Sequence, residues 1–409
     1  MSRAGLLSPM ETLAIGGIRL ASVAAGIRYR DRDDLVLMAL PPGAATAATF
    51  TRNAFCAAPV TVAREHLARA DARFLLINAG NANAGTGARG LADARATCQA
   101  LADLAGCVAG QVLPFSTGVI GEDLPVARMR DALPAALSGL REDGWAQAAR
   151  AIMTTDTVPK LASRRFRLGA DGPEATLVGM AKGAGMIRPD MATMLAFIAT
   201  DAAVAAPLLQ QCLEHAVAQS FNCISIDGDT STNDACVLTA TGSLGNAVID
   251  SAGGDAWQAL CEAVDAICAD LATAIVRDGE GATKLVSVEV TTAASAHEAR
   301  AVADAIAHSP LVKTALFAGD PNWGRILAAV GRAGVDGLDI EAVRIWLDDC
   351  LIVSSGGRDP GYREADGQQV MARDSFAIRV HLGRGDAQAR VLTCDLSCEY
   401  VRINADYRS

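Results

Sequence analysis

Strand-like and helical runs alternate along the whole chain, and that alternation predicts a mixed α/β fold. Two further observations agree with it. Of the 409 residues 51% are hydrophobic and 20% charged, enough apolar material for a real core and too much for a disordered chain. No segment of 20–50 residues repeats, so a solenoid is excluded. A chain of this length fits two or three domains of roughly 150 residues each.

In order, Asp34 to Leu40 (DLVLMAL) reads as a buried strand, and Val60 to Ala70 as a strand end running into a helix. Arg73 to Ile77 is a strand that runs into NAGNANAGTG (78–87), whose three Asn and three Gly predict a turn-rich loop. Leu91 to Ala105 is an Ala-rich helix. Gln111 to Glu122 is a second strand-to-loop junction, followed by helical patterns at Val126–Ala136 and Gly144–Met153. Strands are expected between Arg165 and Met180, helices at Ala206–Gln219 and Trp257–Val276, and a strand at Cys223–Asp227 leading into the polar loop Gly228–Asp234. From Lys284 the texture changes: Leu285–Thr292 alternates as a half-buried strand does, a helix follows at Ala296–Ala307, and Gly356–Gly367 reads as a charged loop. A soft domain boundary is placed near residue 284.

Composition removes several functions. A net charge of −10 argues against nucleic acid, which needs a basic face. No apolar run approaches the ~20 residues of a membrane span, and Arg3 and Glu11 do not suit a signal peptide. The eleven cysteines contain no CxxC pair, which suggests reduced thiols and a cytoplasmic protein. The five histidines are not paired at helical spacing, so no zinc site is expected. Only four of the 36 basic residues are lysines, Lys160, Lys182, Lys284 and Lys313. A chain that otherwise uses Arg keeps Lys where a compact ammonium is needed and a planar guanidinium fails.

The segment Lys182-Gly-Ala-Gly-Met-Ile-Arg-Pro-Asp-Met-Ala-Thr-Met194 is chemically the richest. A small residue followed by Thr at the mouth of a buried strand allows the Thr193 hydroxyl to attack the Ala192 carbonyl. The resulting ester, opened by water, would leave Thr193 as a new N-terminus. Its α-amine, with a pKa near 7.7–8.0, could then act as base for its own hydroxyl. On spacing alone, Gly183–Gly185 reads first as a turn and Thr193 as an ordinary strand residue, because both strings are short. Thr117 and Gly118, in FSTGV (115–119), offer a hydroxyl and an uncrowded N–H to a developing oxyanion, or a helix-capping turn. Thr154-Thr-Asp-Thr157 with Lys160 suits an amino-acid substrate or a solvated turn, and Glu280 in DGEGATK (278–284) could hold an ammonium. The Asp227–Asp234 loop lacks the Gly and Glu of an EF-hand, so no metal is assigned there. Trp323 in DPNWGR is read as a packing residue in a polar turn.

Taken together and in order, NAGNANAGTG (78–87), STGVIGE (116–122), TTDTVPK (154–160), KGAGMIRPDMATML (182–195), FNCISIDGDTSTND (221–234), RDGEGATK (277–284), GDPNWGR (319–325) and the C-terminal YVRINADYRS resemble the ornithine acetyltransferase family, the bifunctional glutamate N-acetyltransferases of arginine biosynthesis. The resemblance covers nearly the whole chain. It implies a four-layer αββα sandwich with an additional C-terminal α/β domain, residues 193–283 completing the sandwich and 284–409 forming the added domain. It implies self-cleavage between Ala192 and Thr193 into an α chain (1–192) and a β chain (193–409), assembled as an α2β2 heterotetramer. Thr193 is then the nucleophile, Thr117 and Gly118 the oxyanion donors, and Thr155, Thr154, Lys182, Thr193, Glu280, Asn404 and Ser409 the substrate contacts. The implied reaction moves acetyl from N-acetylornithine to glutamate without a cofactor. The family includes members that also accept acetyl-CoA as donor, and no residue here separates the two kinds. The usual KGSGMIHPNMAT is departed from at Ala184, Arg188 and Asp190, which bears on specificity and cleavage rate.

Two other readings share these residues. A self-processing N-terminal-nucleophile aminopeptidase or amidase would release free acid without an amine acceptor. A non-catalytic binding protein on the same scaffold would remain one unbroken chain.

Overall fold

The computed structural model describes residues 14–188 and 194–406. Along the chain these form β1 Arg19–Val23, β2 Leu35–Ala39, β3 Ala45–Phe50, α1 Ala58–Leu67, β4 Phe74–Asn81, α2 Gly87–Ala105, β5 Val112–Val119, α3 Val126–Ser138, α4 Trp145–Ala151, β6 Lys160–Arg167, β7 Glu174–Lys182 and β8 Leu195–Thr200. Then come α5 Ala206–Gln219, β9 Ile224–Ser225, β10 Ala235–Ala240, α6 Asp255–Arg277, β11 Leu285–Ala293, α7 Ala296–Ala307, α8 Pro310–Ala318 and α9 Trp323–Gly331. The last are β12 Arg344–Leu347, β13 Cys350–Ser354, β14 Gly357–Arg358, α10 Glu364–Met371, β15 Ser375–His381, β16 Ala387–Cys394 and α11 Cys398–Ala405. The fold is the expected mixed α/β.

The chain divides into two compact units. The first comprises 1–183, 189–222 and 230–272 and holds two sheets, ordered β1-β2-β4-β5 and β3-β10-β8-β7-β6. Alternating apolar residues explain how the sheets stack. Val36, Met38, Leu75, Ile77, Leu113 and Phe115 of one sheet share a buried cluster with Phe50, Val178, Met180, Phe197 and Val237 of the other. Phe115 and Phe197 meet edge to face, centroids 5.1 Å apart. The alternate residues Leu35, Leu37, Leu76 and Val112 turn outward onto Cys98 and Leu101 of α2 and Met129 and Leu133 of α3. On the larger sheet Gly179 leaves room for Leu271 and Ile267 of α6, which a Cβ there would approach to 3.1 and 3.3 Å. Helix, sheet, sheet and helix thus lie in four layers within this unit.

The second unit comprises 184–188, 223–229 and 273–409. Its seven strands run β14-β13-β12-β15-β11-β16-β9, with β11 parallel to β15 and antiparallel to β16. Val286, Val288 and Val290 of β11 pack with Val302 and Ile306 of α7, Val312 and Leu316 of α8, and Ile326 of α9.

Several expectations are corrected. Val60–Ala70 contains no strand: Pro59 opens α1 and Val60, Val62 and Ala63 supply its buried face, so tertiary burial overrides the β preference of the valines. The strand predicted to end at Ile77 continues to Asn81, because Asn78–Asn81 pair with Ser116–Val119 of β5. The charged stretch at 356–367 carries β14 and the start of α10. Trp323 opens helix α9, whose cap is Asn322 accepting from the Arg325 N–H, and it packs against the second unit's core.

Candidate active site

Two strand ends of the first unit are shaped by close backbone approach. In the parallel β4–β5 pair Ala79 faces Thr117 and Gly80 faces Gly118, and the register slips at Asn81. Gly118 has φ +135°, and a Cβ there would stand 2.3 Å from the Gly80 carbonyl carbon. No other residue fits. Buried amides brace this turn. Ser116 donates to Asn78 Oδ1 at 2.6 Å, Asn78 donates to the Asn81 carbonyl, and Asn233 donates to the carbonyls of Ala82 and Ser116 at 2.6 and 2.9 Å. Thr117 and Gly118 themselves are half-buried.

A charged cluster adjoins them. The Asp156 carboxylate, buried with its side chain at 0% exposure, pairs with Lys160 Nζ at 2.5 Å and lies 3.9 Å from Lys182 Nζ. It also accepts from the N–H groups of Gly183 (2.7 Å) and Thr154 (3.0 Å). Burial raises the pKa of this acid, but the ammoniums of Lys160 and Lys182 and the hydrogen bonds prevail and hold it well below the usual carboxylate range. Lys182 Nζ donates to Thr154 Oγ1 at 2.7 Å and to Thr117 Oγ1 at 3.3 Å. A compact ammonium reaches three groups in different directions, which a planar guanidinium would not. Of the predicted residues, Thr117, Thr154 and Lys182 therefore converge. Thr155, in the same loop, is half-buried.

Register completes the arrangement. Lys182 of β7 pairs with Leu195 of β8, and Leu195 with Ala235 of β10. Asp234, one residue earlier, is 2% exposed, and among the described residues its Oδ2 has no hydrogen-bond partner. Burial pushes its pKa well above the ordinary value, against the smaller pull of Ser231, Thr51 and Lys182. By sequence alone Asp234 falls in the polar loop Gly228–Asp234, where it has no assigned role. Its signal was its position, one residue ahead of an apolar strand, which the loop's run of hydroxyls disguised. Asp156, too, was read only as one acid among threonines.

In the second unit, Asn404 donates from Nδ2 to Glu280 Oε2 at 2.7 Å, so these two predicted contacts are brought together. Glu280 is 7% exposed. Gly185 lies against its carboxyl group, where a Cβ would come within 2.5 Å. The other lysines serve structure. Lys284 Nζ donates to the Met371 and Arg373 carbonyls, and buried Lys313 to Thr393 Oγ1 and the Cys394 carbonyl. Ala192, Thr193 and Ser409 lie outside the described residues.

The ArgJ family pattern matches residues 19–409. The chain is 61% identical over 403 residues to the arginine biosynthesis bifunctional protein ArgJ of Methylococcus capsulatus, covering 98% of each. It is similar to the crystal structure of the ArgJ protein of Bacillus halodurans at 40% identity and TM-score 0.50, over 53% of this chain and 100% of that one. It also matches the ornithine acetyltransferase of Mycobacterium tuberculosis, solved with ornithine, at 35% identity, TM-score 0.38, over 44% of this chain and 94% of that one.

Proposed function

Because the chain belongs to the ArgJ family, we propose that it is the self-processing acetyltransferase of arginine biosynthesis that carries acetyl from N2-acetylornithine to glutamate. Processing begins when Thr193 Oγ adds to the Ala192 carbonyl. The Ala192–Thr193 C–N bond breaks, an ester forms, and the hydroxyl proton passes to the freed amine. Water then cleaves the ester, leaving a carboxylate at Ala192 and restoring the Thr193 hydroxyl beside a free α-amine. In the first half-reaction Thr193 attacks the acetyl carbonyl of N2-acetylornithine, its own amine taking the proton. The Gly118 N–H and the Thr117 hydroxyl receive the oxyanion, and ornithine departs. The α-amine of glutamate then takes the acetyl group from the threonine ester.

The observation that carries this reading is the row Lys182–Leu195–Ala235. It fixes Leu195, two residues past Thr193, beside the lysine whose ammonium reaches both Thr117 and Thr154. Lys182, whose ammonium stands 3.9 Å from the Asp156 carboxylate, binds a substrate carboxylate, and Thr154 and Thr155 line its path. Glu280, oriented by Asn404, receives a substrate ammonium, and Ser409 adds a contact. Acetyl-CoA is the second candidate donor, to be assayed beside N2-acetylornithine, because the family includes members of both kinds.

One observation supports cleavage into chains that stay together. The larger sheet of the first unit takes β3, β6 and β7 from before residue 193 and β8 and β10 from after it, so cutting the bond leaves one sheet built from both chains. The processed chains assemble as α2β2 in the cytoplasm. Among the described residues no helix is long and apolar enough to cross a membrane.

Mass spectrometry of wild type and Thr193→Ala tests the proposal. Wild type should give two chains meeting at 192/193, with an acetyl adduct on the peptide beginning at Thr193 after reaction with N2-acetylornithine. Thr193→Ala should stay whole and inactive. An intact wild-type chain that still transfers acetyl would overturn it, and release of free acetate without an amine acceptor would make the protein a hydrolase.

A further inference from the structure

The second unit is built from residues that follow position 193, with one exception: Ala184–Arg188. These five residues come from the end of what processing makes the α chain, and they are tied in by backbone groups. The Ala184 carbonyl accepts from the Glu280 N–H at 2.8 Å, and the Ile187 carbonyl accepts from the Ile226 N–H at 2.8 Å. Between these two ties, the N–H groups of Met186 and Ile187 donate to the two oxygens of one carboxylate, Asp227, at 2.5 and 2.9 Å. Asp227 is itself oriented by the Tyr400 hydroxyl at 3.3 Å and the Asp229 N–H at 3.2 Å.

Met186 has φ +57°, a left-handed backbone that a side-chain-bearing residue adopts only when its surroundings impose it. Its side chain is 40% exposed, so packing does not impose it. The carboxylate does: a left-handed residue turns successive N–H groups toward one anion. Ala184 and Ile187, each 1% exposed, anchor the segment on either side.

We infer that Asp227 is a positioning residue for self-cleavage, gripping the chain at Met186 and Ile187 upstream of the Ala192–Thr193 bond. This rests on the self-processing reading above. An N→O acyl shift needs the attacked carbonyl held against the hydroxyl, and the chain between a fixed point and the bond sets how often that geometry is reached. The grip also outlasts the cut. Asp227 belongs to the β chain and Met186 and Ile187 to the α chain, so after processing the same bonds retain the α chain's tail in a unit otherwise made of β-chain residues.

The test compares full-length wild type, Asp227→Ala, Asp227→Asn and a control, Asp395→Ala. Asp395 is the matched control, because its carboxylate also grips backbone in the second unit, at the N–H groups of Thr283 and Lys284. Chain cleavage is followed with time on denaturing gels, and Tm on the same samples. Cleavage should slow at least tenfold in Asp227→Ala and less in Asp227→Asn, which keeps one acceptor. Asp395→Ala should lose Tm yet be cut at the wild-type rate. Equal slowing in Asp395→Ala, or wild-type cleavage of Asp227→Ala, would overturn the inference. An uncut wild type would instead overturn the self-processing reading. Should Asp227→Ala not fold, hydrogen exchange on processed wild type decides: the Met186 and Ile187 amides must be protected, and free exchange refutes the grip.

Discussion

Lys182 Nζ stands 3.9 Å from Asp156 Oδ2 while donating to Thr154 and Thr117, so one buried acid lies beside the ammonium that touches both hydroxyls. Replacing that ammonium with the bulkier guanidinium keeps the charge and loses the geometry. Lys182→Arg should lower kcat/KM by about 10–100-fold, the worth of one or two charge-assisted hydrogen bonds. Most of the loss should appear in KM for amino-acid substrates. Steady-state kinetics with N2-acetylornithine and glutamate checks this, and an unchanged KM would remove Lys182 from substrate binding.

Asp156→Asn removes the carboxylate that pairs with the ammonium of Lys160, itself 2% exposed, at 2.5 Å. The variant should lose about 3–5 kcal/mol of stability at pH 7, the usual result of breaking a buried pair from one side. The pH dependence follows from the depressed pKa. The folded protein holds Asp156 ionised below the unfolded value near 3.9, so its contribution is complete above that pH and fades as pH falls beneath it. Urea midpoints for wild type and Asp156→Asn should therefore stay a constant distance apart from pH 5 to 8 and converge below about pH 4.

At Gly118 the constraint is steric. A methyl group placed 2.3 Å from the Gly80 carbonyl carbon must push β5 away from β4. Gly118→Ala should lower kcat by about 10²–10³, the usual cost of misplacing an oxyanion donor, with a measurable drop in Tm. Thr117→Ala, which adds no bulk, should lower kcat at nearly wild-type Tm. If Gly118→Ala reduced Tm alone, with kcat intact, this turn would have no part in the oxyanion site.

These residues also mark what the sequence could disclose. Period-two and period-3.6 patterns placed β2, α2, α3, α5, α6 and β11 closely, because each buries one regular face. They failed at Val60–Ala70, where β-branched residues serve a helix, and at Asn78–Asn81, where a strand is written in turn residues because its partner β5 closes on its backbone. Scarcity drew attention to Lys182, and its neighbours Thr117 and Thr154 were legible as hydroxyl-rich turns. Asp156 as shared counter-ion and the Asp227 grip on residues 186 and 187 were not, since both depend on strands far apart in sequence meeting at one end of a sheet or loop. The same scarcity overstated Lys284, whose ammonium is taken up by two backbone carbonyls.

Asp234 should respond to pH in the sense opposite to Asp156. Burial raises its folded pKa, so the folded state binds a proton that the unfolded chain, with a pKa near 3.9, releases above about pH 4. Protons bound on folding make stability fall as pH rises from the unfolded pKa to the folded one. Asp234→Asn substitutes a neutral group of the same shape for the protonated acid and removes that penalty. The variant should be more stable than wild type at pH 8, and the gap should close by pH 4. Paired urea unfolding at the two pH values reads this directly. An Asp234→Asn protein less stable than wild type at pH 8 would mean that the carboxylate is ionised in the fold and drawn to the ammonium of Lys182, which acts on it.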